Sequence, residues 1–363
     1  MRISAIKGSS FLVFFLFFVF IGRTQNQQKI TYYPSNQFTM VGKIMDTQQP
    51  FHRIDTLKYT TLSSQVKTRM TRSAGLAISF KTNSNAIYAK WCTTSKSTSA
   101  GMTPIAYRGL DLYAKVDGKW QFVGVGRPSD GKNCSEDKIV ANLSGVEQEY
   151  LLYLPVYSET TSLEIGVSEN ALIVAGEQPF KKRIVVYGSS IVQGAGASRS
   201  GMSYPARMSR NTGFHFFNLG MSGVARMEEE VATMISEIDA DMFILDCIPN
   251  SSPREVTQRT QNLIKTIRKR HKEVPIVLMQ GVVREIGYFD QITGEKVKKQ
   301  NTNAYDEFMK LHNSGMKNIY FIFSDDFLGD DHEGTVDGTH PNDLGFDRMI
   351  KSITPQLLPI IQK

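Results

Sequence analysis

The spacing of apolar residues changes near residue 181, and this change constrains the fold more than any other feature of the sequence. Between about 30 and 175, short runs such as GLAISFKT (75–82) and SLEIGVSEN (162–170) alternate apolar and polar residues. Strict alternation is typical of strands with one buried face. After residue 181 the apolar runs are continuous, and helical patterns lie between them. The chain is therefore expected to combine an antiparallel β domain with an α/β domain.

The N-terminal half, residues 30–177, predicts a β-sandwich or jelly roll. Several closely spaced strands occur there without a long helical pattern, which is typical of such folds. The run LYAKVDGKWQFVGVG (112–126) indicates a hairpin that turns at Asp117 and Gly118, because Asp-Gly suits a tight two-residue turn. The polar stretch GEQPFKK (176–182) is the expected domain boundary.

The C-terminal half, residues 181–363, predicts a doubly wound parallel sheet of five strands, since apolar strands alternate with helices. The expected strands are 184–187, 214–217, 242–247, 275–279 and 318–323, and the expected helices lie near 203–212, 225–238, 253–271, 302–314 and 342–360. Ligands of open α/β sheets bind beyond the carboxyl ends of the strands. A functional site is therefore expected where these strands end.

Small and polar residues follow the first three strands and precede the last helix. These segments are YGSSIVQG (187–194) with Ser189 and Ser190, NLGMSG (218–223) ending at Gly223, DCIPN (246–250) ending at Asn250, and DGTHP (337–341) with Asp337 and His340. A serine, an Asp/His pair and amide donors at one sheet edge are the parts that acyl transfer needs.

Each segment alone also has a purely structural explanation. Asp-Gly is a turn dipeptide, and Asn342 or Asp343 suits the start of the last helix. Gly223 suits a turn, and Asn250 suits the N-cap of the helix expected from about 253. The coincidence of all four segments at one edge is what favours the catalytic interpretation.

These four segments resemble the blocks of the SGNH (GDSL-type) hydrolase superfamily, in the same order. The resemblance implies a flavodoxin-like sheet, no cofactor and no metal. It implies Ser190 as nucleophile, His340 as base and Asp337 as its orienting carboxylate, with Ser190, Gly223 and Asn250 as the oxyanion hole. In the N-terminal half, RGLDLY (108–113) resembles the GxDLY domain that precedes such hydrolases in Bacteroidetes-type exported proteins.

The sequence departs from the family pattern at two places. Ser189 stands where the first block usually has Asp, and Ile248-Pro249 stands where Gly is common before the Asn. Because of the first departure, two adjacent serines are candidates for the nucleophile. The family register favours Ser190 over Ser189.

The first residues predict a signal peptide over 1–24. Arg2 and Lys7 precede the apolar run FLVFFLFFVFIG (11–22), and a polar segment follows it. This run is shorter than the roughly 20 residues of a membrane-spanning helix, so we expect a soluble protein exported to the periplasm or the medium. In an oxidising compartment Cys92 and Cys134 can pair, whereas Cys247 lies in an apolar run and suits a buried thiol.

Composition and charge limit the classes of partner and ligand that are expected for this protein. The net charge of +7 is spread along the chain, and the basic cluster IRKRHK (267–272) has no interleaved aromatic residues, so nucleic-acid binding is not expected. No C-x-x-C or zinc-type His/Cys spacing occurs, so no structural metal is expected.

The polar loops and the β domain favour a carbohydrate O-acetyl esterase, by resemblance to two-domain esterases of this kind. The alternatives are a lipase or acylhydrolase of other small esters, and a carbohydrate-binding protein without activity.

Arg284, after the fourth strand, either approaches the substrate or lies on the surface. The aromatic residues either stack on sugar rings or fill the sandwich core; they are Trp91, Tyr107, Tyr113 and Trp120.

Overall fold

The structure is a computed structural model that describes residues 29–325 and 327–362. The expected signal peptide, residues 1–24, lies outside the described residues. In the N-terminal half the strands are β1 (Ile30–Pro34), β2 (Thr39–Val41), β3 (Ala77–Thr82), β4 (Ala86–Thr93), β5 (Leu110–Val116), β6 (Lys119–Gly126), β7 (Cys134–Ala141), β8 (Gln148–Tyr153), β9 (Thr160–Ser168) and β10 (Ile173–Ala175). Two short helices accompany them, α1 (Ser64–Met70) and α2 (Pro104–Arg108).

The N-terminal strands form two antiparallel sheets. One has the order β1-β9-β4-β7 and the other β10-β3-β8-β5-β6, with β2 paired to β3. Alternate side chains of both sheets, including Phe80, Trp91 and Ile165, meet in one buried core, as the alternating sequence pattern predicts. At the predicted hairpin, Asp117 and Gly118 both have positive φ (48° and 76°), the backbone that Asp-Gly favours.

The sequence left the pairing of Cys92 and Cys134 open and favoured a buried thiol at Cys247. Cys92 and Cys134 are opposite each other on neighbouring strands β4 and β7, and a disulfide joins them. Cys247 is a free thiol buried in the core of the C-terminal half.

The C-terminal half contains five parallel strands within the described residues: β11 (Lys181–Gly188), β12 (Phe214–Gly220), β13 (Met242–Asp246), β14 (Ile276–Met279) and β15 (Ile319–Ile322). Its helices are α3 (Ser190–Gln193), α4 (Tyr204–Thr212), α5 (Glu229–Ser236), α6 (Pro253–Arg270), α7 (Gln291–Asn313) and α8 (Asp343–Ile361). The strand order β12-β11-β13-β14-β15 is that of a flavodoxin-like sheet, and apolar clusters cover both faces. The predicted fold class is confirmed.

Helix α7 is the predicted helix whose start differs most from the prediction. It begins at Gln291 instead of about 302, because the Asp290 side chain accepts a hydrogen bond from the Thr293 backbone N–H (3.2 Å) and caps it. The first turns bury little apolar surface beyond Val297, so they carry no apolar stripe that a sequence pattern can reveal.

The two halves share a core. Residues 44–70, which belong to the N-terminal half by sequence, bury apolar side chains such as Ile54, Leu62 and Met70 against β11, β12 and the helices beside them. The change in periodicity at residue 181 therefore separates two sequence patterns but not two independent hydrophobic cores.

The GLDLY segment lies at the contact between the halves. Asp111 is fully buried, accepts a hydrogen bond from the Gly201 N–H (2.9 Å) and pairs with Arg199 Nε (3.1 Å). Arg199 also donates to the hydroxyl of Tyr113 (3.2 Å). Burial raises the pKa of Asp111 to about 6, although the Arg199 charge opposes this shift. The Asp and Tyr of the motif thus connect the β domain to the loop between α3 and α4.

We predict that His215 makes stability fall in acid. Its ring lies in β12 against Phe180 and Phe217, and burial, together with the Arg183 charge, lowers its pKa to about 3 from the usual 6.5. The unfolded chain therefore gains a proton below about pH 6.5 that the folded protein does not bind, so the free energy of unfolding decreases as pH falls from 6.5 toward 3. In urea unfolding at pH 4.5 and 7.5, the variant His215→Phe should lose less stability on acidification than the wild type. Equal losses in both proteins would contradict the prediction.

Candidate active site

Ser190, His340 and Asp337 form a continuous chain of hydrogen bonds. Ser190 Oγ lies 2.9 Å from His340 Nε2, and His340 Nδ1 lies 2.8 Å from Asp337 Oδ2. The other carboxylate oxygen, Asp337 Oδ1, accepts from the backbone N–H groups of His340 (2.8 Å) and Thr339 (3.0 Å). The carboxylate is therefore held by the same turn that carries the imidazole, and it fixes the ring through Nδ1.

The pKa of Asp337 is lowered from its usual value. Partial burial alone would raise it, but the hydrogen bonds from the His340 side chain and backbone outweigh burial. The carboxylate therefore stays ionised at neutral pH, where it can orient an imidazole and stabilise an imidazolium.

The turn after β11 places Ser190 beyond the edge of the sheet. A Cβ at Gly188 would lie 2.3 Å from the Asp246 carbonyl oxygen, so this strand end has room only for glycine. Ser189 follows as the N-cap of α3: its Oγ accepts from the Ile191 N–H (3.2 Å), and its own N–H donates to the Asp246 carbonyl (3.3 Å). Ser189 thus has a local structural role, and the serine that contacts His340 is Ser190.

The loops after β12 and β13 flank Ser190, because Gly188 is in register with Gly220 on one side and Asp246 on the other. Gly223 has a φ of 76° and open space where a side chain would project. Within the described residues, neither the Ser190 N–H nor the Gly223 N–H donates a hydrogen bond. Both amides are therefore free to bind an external oxygen.

Asn250 ends a short 3₁₀ turn after β13. The alternative role as helix cap is wrong, because Ser252 caps α6 in a capping box with Glu255. The Asn250 side-chain oxygen is buried and has no hydrogen-bond partner among the residues that the structure describes. Because the side-chain amide can rotate to exchange the positions of its oxygen and nitrogen, Asn250 can donate an N–H hydrogen bond to a ligand. Asn342, in contrast, does cap α8, through the Gly345 N–H (2.9 Å).

A buried arginine of the N-terminal half holds the loop that leads to Gly223. The Arg53 guanidinium donates to the carbonyls of Asn218 (3.0 Å) and Gly220 (2.9 Å), and also to those of Arg69 and Arg72. The side chain has no solvent exposure, and burial, with a smaller effect of the Arg72 charge, lowers its pKa to about 9. Four carbonyls replace the water that this cation would have in solution.

Two further side chains support the same loop. Arg69 Nε donates to the Ser222 carbonyl (2.9 Å). Gln193, fully buried in α3, accepts from the Ser222 N–H (3.0 Å) and donates to the Val156 carbonyl of the β domain (2.8 Å). These residues, with Arg53, carry no local sequence signal, since their partners lie far away in the chain.

The β domain also approaches the turn that carries Asp337 and His340. A Cβ at Gly101 would lie 3.8 Å from Asp337 Oδ2. Thr103 Oγ1 donates to the Ser198 carbonyl (2.6 Å), and the Ser198 N–H donates to Asp343 (3.0 Å) at the start of α8. The N-terminal half therefore forms one side of the site. It lies against the loop that carries Asp337 and contacts the loop that follows α3.

The remaining sequence candidates lie outside this hydrogen-bond chain. Arg284 is half-buried and donates to the Pro249 carbonyl (2.9 Å), next to Asn250. Trp91 and Tyr113 are core residues, and the Trp91 indole donates to the Arg108 carbonyl (2.9 Å). The described residues contain no cluster of His, Cys, Asp and Glu able to hold a metal, and no described helix has the length and apolarity needed to cross a bilayer.

The fold is that of an SGNH-type hydrolase. Residues 181–358 match the family of GDSL-like lipases/acylhydrolases, and residues 30–173 match the GxDLY family, described as the N-terminus of esterases of the SGNH hydrolase type. A crystal structure described as a GDSL-like lipase from Bacteroides ovatus ATCC 8483 shares 53% identity over 92% of this chain and 98% of that one, with a TM-score of 0.90. The chain belongs to the GDSL-like lipase/acylhydrolase family.

More distant structures share the fold alone. The salicylyl-acyltransferase SsfX3 from a tetracycline biosynthetic pathway is 16% identical over 91% of this chain and 99% of its own, with a TM-score of 0.71. A family two carbohydrate esterase from Clostridium thermocellum, in complex with cellohexaose, is 14% identical over 80% of this chain and 93% of its own, with a TM-score of 0.58. No curated protein matched the sequence significantly.

We predict that Arg53→Met lowers the free energy of unfolding by about 3 kcal/mol or more, because several buried carbonyls lose their donor. The matched control is Arg254→Met, on the exposed face of α6, which should change stability by less than about 0.5 kcal/mol. Urea unfolding followed by circular dichroism measures both. If the two variants are equally stable, Arg53 does not hold the loop.

Proposed function

We propose that this protein is an exported serine esterase that removes small acyl groups, chiefly O-acetyl, from carbohydrates. Residues 1–24 would be the signal peptide, residues 30–177 the β domain and residues 181–363 the hydrolase domain. The observation that carries the proposal is the unbroken hydrogen-bond chain from Ser190 through His340 to Asp337.

In the first half-reaction, His340 Nε2 takes the proton of Ser190 Oγ as this oxygen attacks the ester carbonyl. Asp337 holds the ring in the tautomer whose Nε2 accepts a proton, and stabilises the imidazolium that forms. The imidazolium then gives its proton to the departing alcohol oxygen, which leaves an acyl-enzyme. In the second half-reaction, His340 takes a proton from water as the water oxygen attacks the acyl carbonyl. The bond between this carbonyl carbon and Ser190 Oγ then breaks, His340 returns the proton to Ser190, and the acid is released.

The negative oxygen of the tetrahedral intermediate needs donors that are already in place. The free N–H groups of Ser190 and Gly223 and the Asn250 side chain are assigned this role. Removing one such donor typically costs about 10²–10³ in kcat. Arg53, Arg69 and Gln193 would contribute indirectly, by holding the loop before Gly223.

The carbohydrate assignment is supported by the polar character of the loops and by the similarity of the fold to carbohydrate esterases. A catalytically silent binding protein is disfavoured, because it has no need for an assembled Ser, His and Asp. One observation favours the second candidate, a lipase or acylhydrolase of longer esters: Phe289 and Ile292, just beyond the turn that contacts the catalytic loop, are 91% and 85% exposed. Acetate release from acetylated glycans, compared with cleavage of 4-nitrophenyl acetate and octanoate, distinguishes the two candidates.

We predict that Ser190→Ala and His340→Ala each reduce kcat for 4-nitrophenyl acetate by a similar factor, about 10⁴ or more, because both act in the same step. The double variant should be little worse than either single one. Asn250→Ala should cost about 10²–10³, since the other oxyanion donors remain.

The matched control is Ser189→Ala, which removes the neighbouring hydroxyl. It should cost about 1 kcal/mol of stability through loss of the N-cap, with only a modest effect on kcat. If Ser189→Ala abolishes activity and Ser190→Ala retains it, the assignment of the nucleophile is wrong.

A further inference from the structure

A cavity of about 360 Å³ lies beside the catalytic turn, and the reaction scheme above leaves it without a role. It is located between the ends of β14 and β15 and the first turns of α7. Its volume falls within the roughly 300–1,000 Å³ of small-ligand sites. Its lining includes Gln280, Arg284, Tyr288, Lys298, Ser324 and Asp325.

The wall of this cavity is attached to both catalytic loops. The Ile286 N–H donates to the Gly338 carbonyl (3.1 Å), within the turn that carries Asp337 and His340. Arg284 Nη2 donates to the Pro249 carbonyl (2.9 Å), next to Asn250. The cavity wall therefore contacts the turn that carries Asp337 and His340 and the turn that ends at Asn250.

The position of the cavity indicates which part of the ester it faces. The departing alcohol oxygen receives its proton from His340, so the alcohol lies on the side of the His340 loop. Two of the three assigned oxyanion donors, the Ser190 and Gly223 amides, lie in the loops after β11 and β12, whereas Asn250 follows β13, nearer the cavity. The cavity wall contacts the His340 loop at Gly338, and on this contact the cavity is assigned to the alcohol side.

Most neutral polar groups in the lining are already occupied. Gln280 Oε1 accepts from the Ser324 N–H (3.1 Å), and the Asn301 side chain bonds both the N–H and the carbonyl of Gly281 (3.0 Å each). In contrast, Arg284 makes one hydrogen bond within the described residues and keeps its other donors for a ligand. Lys298 adds a second cation, and Asp325 is the single carboxylate among the described lining residues, so these lining side chains together carry a net positive charge.

The cavity also offers an exposed aromatic ring in a fixed position. The Tyr288 ring meets the His332 ring edge-on (4.9 Å between centroids), and His332 Nδ1 lies 2.8 Å from Glu285 Oε2. Tyr288 remains mostly exposed despite these contacts. A sugar ring can therefore pack on Tyr288 while a charged substituent reaches Arg284.

We propose that this cavity binds a carboxylate on the alcohol part of the ester, so that the preferred substrates are O-acetylated acidic sugars. The proposal rests on the function proposed above and specifies its substrate class. Arg284 is the specificity-determining residue because its planar guanidinium can bind a carboxylate through two parallel hydrogen bonds.

The test uses three acetylated methyl glycosides that differ only at C6: the galacturonate, its neutral carboxamide and the galactose compound. The wild type should cleave the galacturonate with at least about tenfold higher kcat/KM than the other two, which is the order expected for one charged hydrogen-bonded contact. Arg284→Met should abolish most of this preference, and Arg284→Lys should restore part of it. The control Lys299→Met, on α7 but outside the lining, should retain the full preference. The preference should also shrink at high salt, as charge recognition requires.

The outcomes separate this proposal from the one on which it rests. Cleavage of all three sugars without preference, or a preference that survives Arg284→Met, overturns the carboxylate subsite alone. Failure to cleave any of them overturns the carbohydrate function, and the subsite with it. If the Arg284-dependent preference appears for 4-nitrophenyl hemisuccinate over the butyrate and not for the galacturonate, the cavity binds the acyl part and the assignment to the alcohol is wrong.

Discussion

The buried guanidinium of Arg53 is the interaction on which the arrangement of the site depends. Among the described residues it has no carboxylate partner, and its burial is tolerated because backbone carbonyls occupy its donors. Two of these carbonyls belong to Asn218 and Gly220, and the Asn218 side chain donates in turn to the Val192 carbonyl of α3, the helix that begins at Ser190 (2.7 Å). A small displacement of the loop would leave a buried charge and several carbonyls unpaired. The cation therefore fixes the distance between the Gly223 loop, the Ser190 helix and the N-terminal half.

A second set of contacts holds the opposite side of the site. Asp111 binds the loop at Arg199 and Gly201, while Thr103 reaches Ser198, which binds the first turn of the helix after His340. The β domain thus contacts the elements that position both Ser190 and His340. Such support keeps donors and reacting groups in place before the substrate arrives, which is the condition for electrostatic stabilisation of a transition state. The GLDLY motif has a physical explanation as part of this interface.

The features that the sequence predicted are local ones. Continuous apolar runs identified all five strands of the parallel sheet, and reading the strand ends placed Ser190, Gly223 and Asn250 on one edge, because parallel strands end together. The features that were missed depend on distant partners. Arg53 lies in an ordinary polar stretch, and nothing nearby shows that it enters the core of the other half. The early start of α7 was missed because its first turns lack an apolar stripe. Likewise, the packing of residues 44–70 against the α/β core follows from tertiary contacts that alternation cannot reveal.

The central claim is that His340 activates Ser190, and not Ser189, as the nucleophile. Peptide mapping after reaction with a fluorophosphonate tests it most directly, because such a reagent modifies an activated serine and the mass of the adduct identifies the residue. The account predicts one adduct in the segment 187–194, located on Ser190 by fragmentation, and much slower labelling in His340→Ala. An adduct on Ser189, or an unlabelled protein that still cleaves esters, would contradict the account.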